Sequence, residues 1–174
     1  MRRMIAVAVL ALTLVSAPAM ANEGFYIGAD LLFNDIGGDI KNVDTGNGLG
    51  LKGGYGLNRY LSFEAGVFKT QHDFTPPGAP KTTVDFKGLT IDAKLSFPLT
   101  GSHIEPYIFG GVGSYKLEDV KGKGGQLGIG MDIYLFPELN FNIGLSRKNI
   151  KFDSTPEETG NVTTLDFGIN YHFI

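Results

Sequence analysis

From Phe25 onward the chain alternates apolar and polar positions with a period of two, the pattern of strands that bury one face. Eight such segments follow one another. The first sets Phe25, Ile27, Ala29, Leu31 and Phe33 against Tyr26, Gly28, Asp30, Leu32 and Asn34. The second sets Leu49, Leu51, Gly53, Tyr55 and Leu57 against Gly48, Gly50, Lys52, Gly54 and Gly56, and the third sets Leu61, Phe63, Ala65 and Val67 against Ser62, Glu64 and Gly66. In the fourth, Leu89, Ile91, Ala93, Leu95 and Phe97 oppose Thr90, Asp92, Lys94 and Ser96. The fifth, Ile104 to Lys116, is apolar on both faces, so its orientation stays open. Segments six to eight present Leu127 to Leu135, Leu139 to Leu145 and Leu165 to Phe173 as odd-numbered apolar faces, opposed by Gly128, Asp132, Asn140, Asn142, Asp166, Asn170 and His172 among others.

Each segment runs roughly 9 to 11 residues, the length with which a tilted strand crosses a bilayer. The gaps alternate between short (Asn58-Arg59, Pro98 to His103, Pro137-Glu138) and longer (Asp35 to Gly46, Lys69 to Lys81, Glu118 to Gly125, Asn149 to Gly160). This predicts an up-and-down barrel with tight turns on one rim and loops on the other. Because hydrocarbon leaves no backbone group unpaired, the last strand must close on the first.

Period two alone does not say which face is outside. A soluble container, apolar within, would carry a solvated outer face rich in Lys, Glu, Ser and Thr; here the polar face is largely glycine with single charges, which suits the narrow interior of an eight-strand barrel. Composition agrees: 25 glycines and 20 aromatics (13 Phe, 7 Tyr) in 174 residues, with 19% charged. Aromatics gather toward segment ends, with Phe25, Tyr55, Tyr60, Phe97, Tyr107, Phe136, Phe141, Tyr171 and Phe173 at the short-turn end, and Phe33, Phe68, Phe86, Tyr115 and Phe152 at the loop end. Two interfacial girdles are the expectation.

Upstream, Arg2 and Arg3 precede the apolar stretch Ile5 to Val15, and Pro18-Ala19-Met20-Ala21 fits a cleavage site, so residues 1–21 read as a secretory signal peptide and 22–174 as the barrel domain. The absence of cysteine excludes disulfide scaffolds, Cys zinc sites and thiol nucleophiles. A formal charge of -3 argues against a nucleic-acid-binding surface.

Three stretches carry a family resemblance: Gly24-Phe25-Tyr26-Ile27-Gly28, the glycine-rich Pro106-Tyr107-Ile108-Phe109-Gly110-Gly111-Val112-Gly113, and the closing Phe167-Gly168-Ile169-Asn170-Tyr171-His172-Phe173. With the signal peptide they resemble the small eight-stranded outer-membrane barrel superfamily, the OmpA transmembrane-domain, OmpX-like and opacity-protein-like group, over residues 22–174. The resemblance implies an all-β, eight-stranded antiparallel transmembrane barrel, monomeric, in a Gram-negative outer membrane. It also implies that Phe167, Ile169, Tyr171 and Phe173 form a C-terminal assembly signal read by the barrel-insertion machinery, here followed by Ile174.

On the inward face the pattern places Asp30, Lys52, Glu64, Asp92, Lys94, Asp132 and Asp166, which must pair or meet internal water because isolated buried charges are costly. A filled lumen held by salt bridges is one outcome; a narrow ion path, making the protein porin-like, is the other. A lipid A-modifying enzyme is a third class, but none of His72 (long loop), His103 (short turn) or His172 (inner face of the last strand) has the nucleophile spacing that chemistry needs. No cofactor is expected. Nor is a metal, since Asp35, Asp39 and Asp44 lack the position-twelve Glu of a calcium loop. Gly48-x-Gly50-x-x-Gly53 mimics a dinucleotide fingerprint but opens no helix. Function is expected in the loops, as a structural envelope role with surface interaction or adhesion to an extracellular ligand. Arg147, Lys148 and Lys151 are candidates for contact with lipopolysaccharide phosphates at the outer rim.

Overall fold

The computed structural model describes residues 23–38, 44–74, 80, 82–153 and 158–173. The signal-peptide stretch lies outside these residues, as do Asp39, Lys41 and Glu157. Eight strands are present: β1 Gly24–Gly38, β2 Gly46–Gly56, β3 Leu61–Phe74, β4 Thr82–Ser96, β5 Ile104–Leu117, β6 Val120–Phe136, β7 Leu139–Phe152 and β8 Glu158–His172. Each pairs antiparallel with its sequence neighbour, and β1 pairs with β8 from Tyr26↔His172 to Gly38↔Gly160, closing the barrel.

The strands tilt. Leu31, Leu49, Lys69, Lys87, Lys116 and Lys121 are successive cross-strand partners, and Lys121 accepts a hydrogen bond from the Asp153 N–H just past β7. In the other direction, Leu31 leads through Phe167 to Ile143, well down β7. A row of partners therefore climbs as it circles the wall, as the stagger of a closed barrel requires.

Local chemistry explains the short-turn rim. Between β2 and β3 the Asn58 side-chain carbonyl accepts hydrogen bonds from the backbone N–H groups of Tyr60 (2.8 Å) and Leu61 (2.9 Å), an Asx turn that reverses the chain in four residues. Between β4 and β5, Gly101 takes φ 75°, a left-handed conformation that suits a residue without Cβ.

On the loop rim the strands outrun the sequence expectation, spanning 11 to 17 residues. Lys69, His72, Asp73 and Phe74 belong to β3, not to a loop. The long gap expected over Glu118 to Gly125 is instead a two-residue turn, Glu118-Asp119, with Leu117 paired to Val120. Glu118 adopts φ 51° there, and its carboxylate accepts the Asp85 N–H at 2.8 Å, so the turn is anchored on β4 by its side chain. These turn-flanking residues are polar and irregular in hydropathy, which hid the continuing ladder from a pattern search.

The fifth strand's orientation resolves. Tyr107, Phe109, Gly111, Gly113 and Tyr115 face inward; Ile108 and Val112 face outward. Large inward rings fit because glycine lies beside them: a Cβ on Gly130 would collide with the Tyr107 ring, one on Gly54 with the Tyr26 ring, and one on Gly88 with Phe68. Inner glycine is thus the space into which the neighbouring strand's aromatic folds.

Candidate functional site

Two solvents act on one wall. Over the lower and middle part of every strand the outward residues are apolar and exposed: Phe25, Ile27 and Leu31 on β1, Leu49 and Leu51 on β2, Ile91 on β4, Leu127 and Ile129 on β6, Ile169 and Tyr171 on β8. This is the belt. Toward the loop rim the polarity of the two faces exchanges. On β7, Phe141, Ile143 and Leu145 face out and Asn140, Asn142 and Ser146 face in; above them Arg147, Asn149 and Lys151 face out and Ile150 and Phe152 are buried within. We call the upper part the collar.

Inside the belt, polar side chains fill the lumen in layers. Nearest the short turns the Tyr26 ring stacks on His172 (4.9 Å), Asn140 meets His172 Nε2 at 3.0 Å, and Asn170 donates to Asn140 at 2.7 Å. Next comes a layer of charge. Lys94 pairs with Asp132 (2.7 Å) and Glu64 (3.5 Å) and sits 4.1 Å from the centre of the Tyr107 ring; Tyr26 donates its hydroxyl proton to Glu64 at 2.6 Å. Lys52 pairs with Asp30 (2.9 Å) and donates to Asn142, which donates in turn to Asp166 (3.1 Å). Charged groups so deeply placed persist only when each finds opposite charge or donors.

Above the charge layer is a cavity of about 100 Å³ lined by Asp92, Gln126, Ser146, Lys148, Thr164 and Asp166 among others. It is polar and roomy enough to hold water. Gln126 donates to Asp92 at 2.6 Å, and Lys148 donates to Thr164 (2.6 Å) and Ser146 (3.2 Å).

Over the cavity lies an apolar plug. Ile36, Phe86, Tyr115, Ile150, Phe152 and Val162 are buried together, with Phe68 and Leu117 packed against them. Phe68 lies 5.3 Å from Phe86 and 6.3 Å from Tyr115, and Phe86 stacks on Tyr115 at 5.9 Å, so rings from β3, β4 and β5 meet within the barrel. Their neighbours Ile36, Ile150 and Val162 come from β1, β7 and β8.

The seven inward charges expected from the pattern all face the lumen. Five of them, Asp30, Lys52, Glu64, Lys94 and Asp132, form the two ion-paired groups; Asp92 and Asp166 instead take amide donors. Three corrections follow. Lys148 does not join Arg147 and Lys151 on the outer rim: even-numbered on β7, it points inward and is buried, and strand parity carried to residue 148 would have shown it. His72 is not a loop residue but a buried inward side chain of β3, held by Asp44 O and Thr70 Oγ1, both at 3.0 Å. The loop-end aromatics do not form a second girdle: Phe33 faces out, but Phe86, Tyr115 and Phe152 build the plug with Phe68. The short-turn girdle does face out in Phe25, Tyr55, Phe97, Phe136, Phe141, Tyr171 and Phe173, while Tyr107 points inward. The pattern placed Asn140, Asn142 and Asn170 on the polar faces but gave them no role; Asn142 joins Lys52 to Asp166, and Asn170 joins Asn142 to Asn140, a use that periodicity does not signal because it depends on which strands face one another across the lumen.

Phe167, Ile169, Tyr171 and Phe173 lie on the outward face of β8 and its end, and Gly48, Gly50 and Gly53 lie within β2. His103 sits exposed in the turn before β5. Among the described residues no group of three His, Cys, Asp or Glu is placed to hold a metal ion.

The same fold occurs in Neisserial surface protein A (TM-score 0.72, 18% identity, 87% of this chain and 98% of that one), in OprG of Pseudomonas aeruginosa (0.62, 18%, 88% and 98%) and in Ail, the attachment invasion locus protein of Yersinia pestis (0.56, 20%, 87% and 99%). At these identities the likeness is one of fold. No curated protein matches the chain in sequence. The profile of the outer membrane protein beta-barrel domain matches residues 7–173, nearly the whole chain, and its closed eight-strand wall with an apolar exterior is the architecture described above: the chain belongs to that outer-membrane barrel family.

Proposed function

We propose that this outer-membrane barrel is a structural and surface-interacting component of the envelope, with neither a conduction path nor chemistry of its own. The observation that carries this reading is the filled lumen: an ion-paired layer in which Lys94 and Lys52 are bound to carboxylates, surmounted by the Phe68, Phe86 and Tyr115 plug. An ion entering from the loop rim would have to pass the buried apolar rings before it reached the ion-paired layer, and moving a charge past them is unfavourable. Residues 1–21 would direct export and be removed, and the outward face of β8 would be read during assembly. With the interior occupied, what remains for partners is the rim and the outer face.

The reading is tested with full-length mature protein from outer membranes. Unboiled samples are expected to run as a compact, faster band that shifts on boiling, and the same preparation is expected to give no unitary conductance in planar bilayers. Steady conductance steps with the wild-type protein would remove the reading in favour of a channel.

A further inference from the structure

Among the described residues, the outward face of the collar carries cations on one side only. Seven cations, Lys69, Lys87, Lys116, Lys121, Lys123, Arg147 and Lys151, occupy outward positions on β3 to β7, above the apolar residues Val67, Leu89, Val112, Leu127 and Leu145 of the same strands, with Ser114 and Gly125 intervening on β5 and β6. At the corresponding outward positions of β8, β1 and β2 stand Thr163, Asn161, Asp35 and Asn47. The cations are also set against one another: Lys69↔Lys87, Lys87↔Lys116, Lys116↔Lys121 and Lys123↔Lys151 are direct cross-strand partners. Like charges directly opposite on a sheet repel.

Part of this repulsion is met within the chain. Asp85 takes Lys69 (2.9 Å) and Lys87 (3.2 Å), and Asp119 takes Lys116 (3.0 Å). Lys121, Lys123, Arg147 and Lys151 make no ion pair with another described residue. The arrangement asks for anions from outside. Because these side chains continue the lipid-facing rows upward, they project sideways from the wall above the apolar belt, toward neighbouring headgroups, with Lys116 and Lys121 highest on the climbing row.

We infer that the β3–β7 face of the collar is a docking surface for a phosphorylated glycolipid of the outer leaflet, its phosphates held by Lys121, Lys123, Arg147 and Lys151 and by the lysine row beside them. Attraction to an anionic membrane surface accumulates cation by cation, so a cluster binds where a single lysine does not. The barrel is then held by lipid on one side, and its β8–β1–β2 side is left to other neighbours. This rests on the outer-membrane reading above and names a partner for it.

The test reconstitutes the mature chain in phosphatidylcholine vesicles containing either bisphosphorylated lipid A or the same lipid A with both phosphates removed. The temperature at which the compact gel band is lost is the readout. Wild-type protein is expected to gain several degrees from the phosphorylated lipid and nothing from the dephosphorylated one. A variant carrying Lys69→Gln, Lys87→Gln, Lys116→Gln, Lys121→Gln and Lys123→Gln is expected to fold in plain phosphatidylcholine and lose that gain, with lipid affinity down by at least about tenfold. Should the five changes prevent folding, Lys121→Gln with Lys123→Gln is the smaller variant and is expected to lose part of the gain. A control with Asn47→Gln, Asn161→Gln and Thr163→Gln keeps it. Equal protection by the two lipids, or a gain that survives both Lys→Gln variants, overturns the inference. So does equal protection by a soluble polyphosphate in plain phosphatidylcholine, which would assign the face to a soluble anion. Absence of a compact band for wild-type protein in every lipid would instead count against the barrel reading itself.

Discussion

The belt and the collar are made of the same eight strands, continue the same ladders and keep the same alternation of side chains, yet their polarity is reversed. Leu145 points out and Ser146 in; two residues further along β7, Arg147 points out, and beyond it Ile150 lies buried within. The pleat decides only that neighbours point opposite ways. What lies on each side decides which of them is apolar. In the belt the exterior is hydrocarbon, so the polar groups turn inward and must satisfy one another there. In the collar the exterior is water and headgroup, so charge can face out and the interior closes by burying rings, as in a soluble protein. The two regions should therefore answer differently to the same kind of substitution.

The largest expected effect is in the belt's charge layer. Lys94→Ala leaves Asp132 and Glu64 without their cation, and removing one partner of a buried pair costs about 3–5 kcal/mol. The urea midpoint of the folded band should fall accordingly, whereas Lys116→Ala, whose pair with Asp119 is exposed, should change it by less than about 1 kcal/mol. Equal losses in the two variants would erase the distinction between the layers.

Somewhat smaller is the loss on opening the plug. Phe86→Ala deletes a fully buried ring at a cost of about 3 kcal/mol. Hydrogen exchange should localise the damage to the collar amides of β3, β4 and β5, and belt amides that exchanged equally fast would show the two regions to be one cooperative unit.

A charge on the outer face discriminates the surroundings directly. Ile91→Lys places an ammonium in the belt and is expected to cost about 2–3 kcal/mol, while Gln71→Lys on the outward collar face should be nearly neutral. Comparable unfolding midpoints for both would mean that the belt does not face lipid.

The smallest expected effect is with pH. His72 lies in the collar, above the lipid-facing rows, and burial pushes its imidazole below the ordinary value in spite of the nearby Asp35 and Asp73 carboxylates. Its Nδ1 donates to the Asp44 carbonyl, leaving Nε2 to accept from Thr70. A neutral ring favoured by folding contributes its full stability above the unfolded histidine value near 6.5 and loses it as pH falls below that. Collar amides near His72 should exchange faster at about pH 5 than at about pH 7.5 after correction for intrinsic rates, and His72→Gln should lose the difference. An unaltered pH response in that variant would assign the effect to other groups.

Much of this was legible in the sequence because the belt is monotonous. Phe25 to Phe33 or Leu165 to Phe173 repeat one rule over a whole crossing, so the strands, the up-and-down order, the closure of β8 on β1 and the inward placement of Asp30, Lys52, Glu64, Asp92, Lys94, Asp132 and Asp166 all follow from parity. The collar was illegible for the opposite reason. Where the rule inverts within two or three residues, as from Leu145 through Lys148 to Ile150, hydropathy loses its period even though the ladder continues, and the segment resembles a loop. Lys148 was misplaced for that reason, and so was His72. The pairing of particular charges was equally hidden, since Lys94 reaches Asp132 from two strands away and the choice between Asp132, Asp92 and Asp166 depends on barrel tilt.

The sequence by itself determined that the chain is an exported-looking, cysteine-free set of eight amphipathic strands with glycine on one face, because periodicity and composition are local properties that survive without a fold. Only the tertiary structure decided which carboxylate each lysine meets, that apolar side chains from six strands converge into a plug, and that lysines distant in the chain line up as one outward row. Those facts depend on register and stagger around a closed wall, and no single strand contains them.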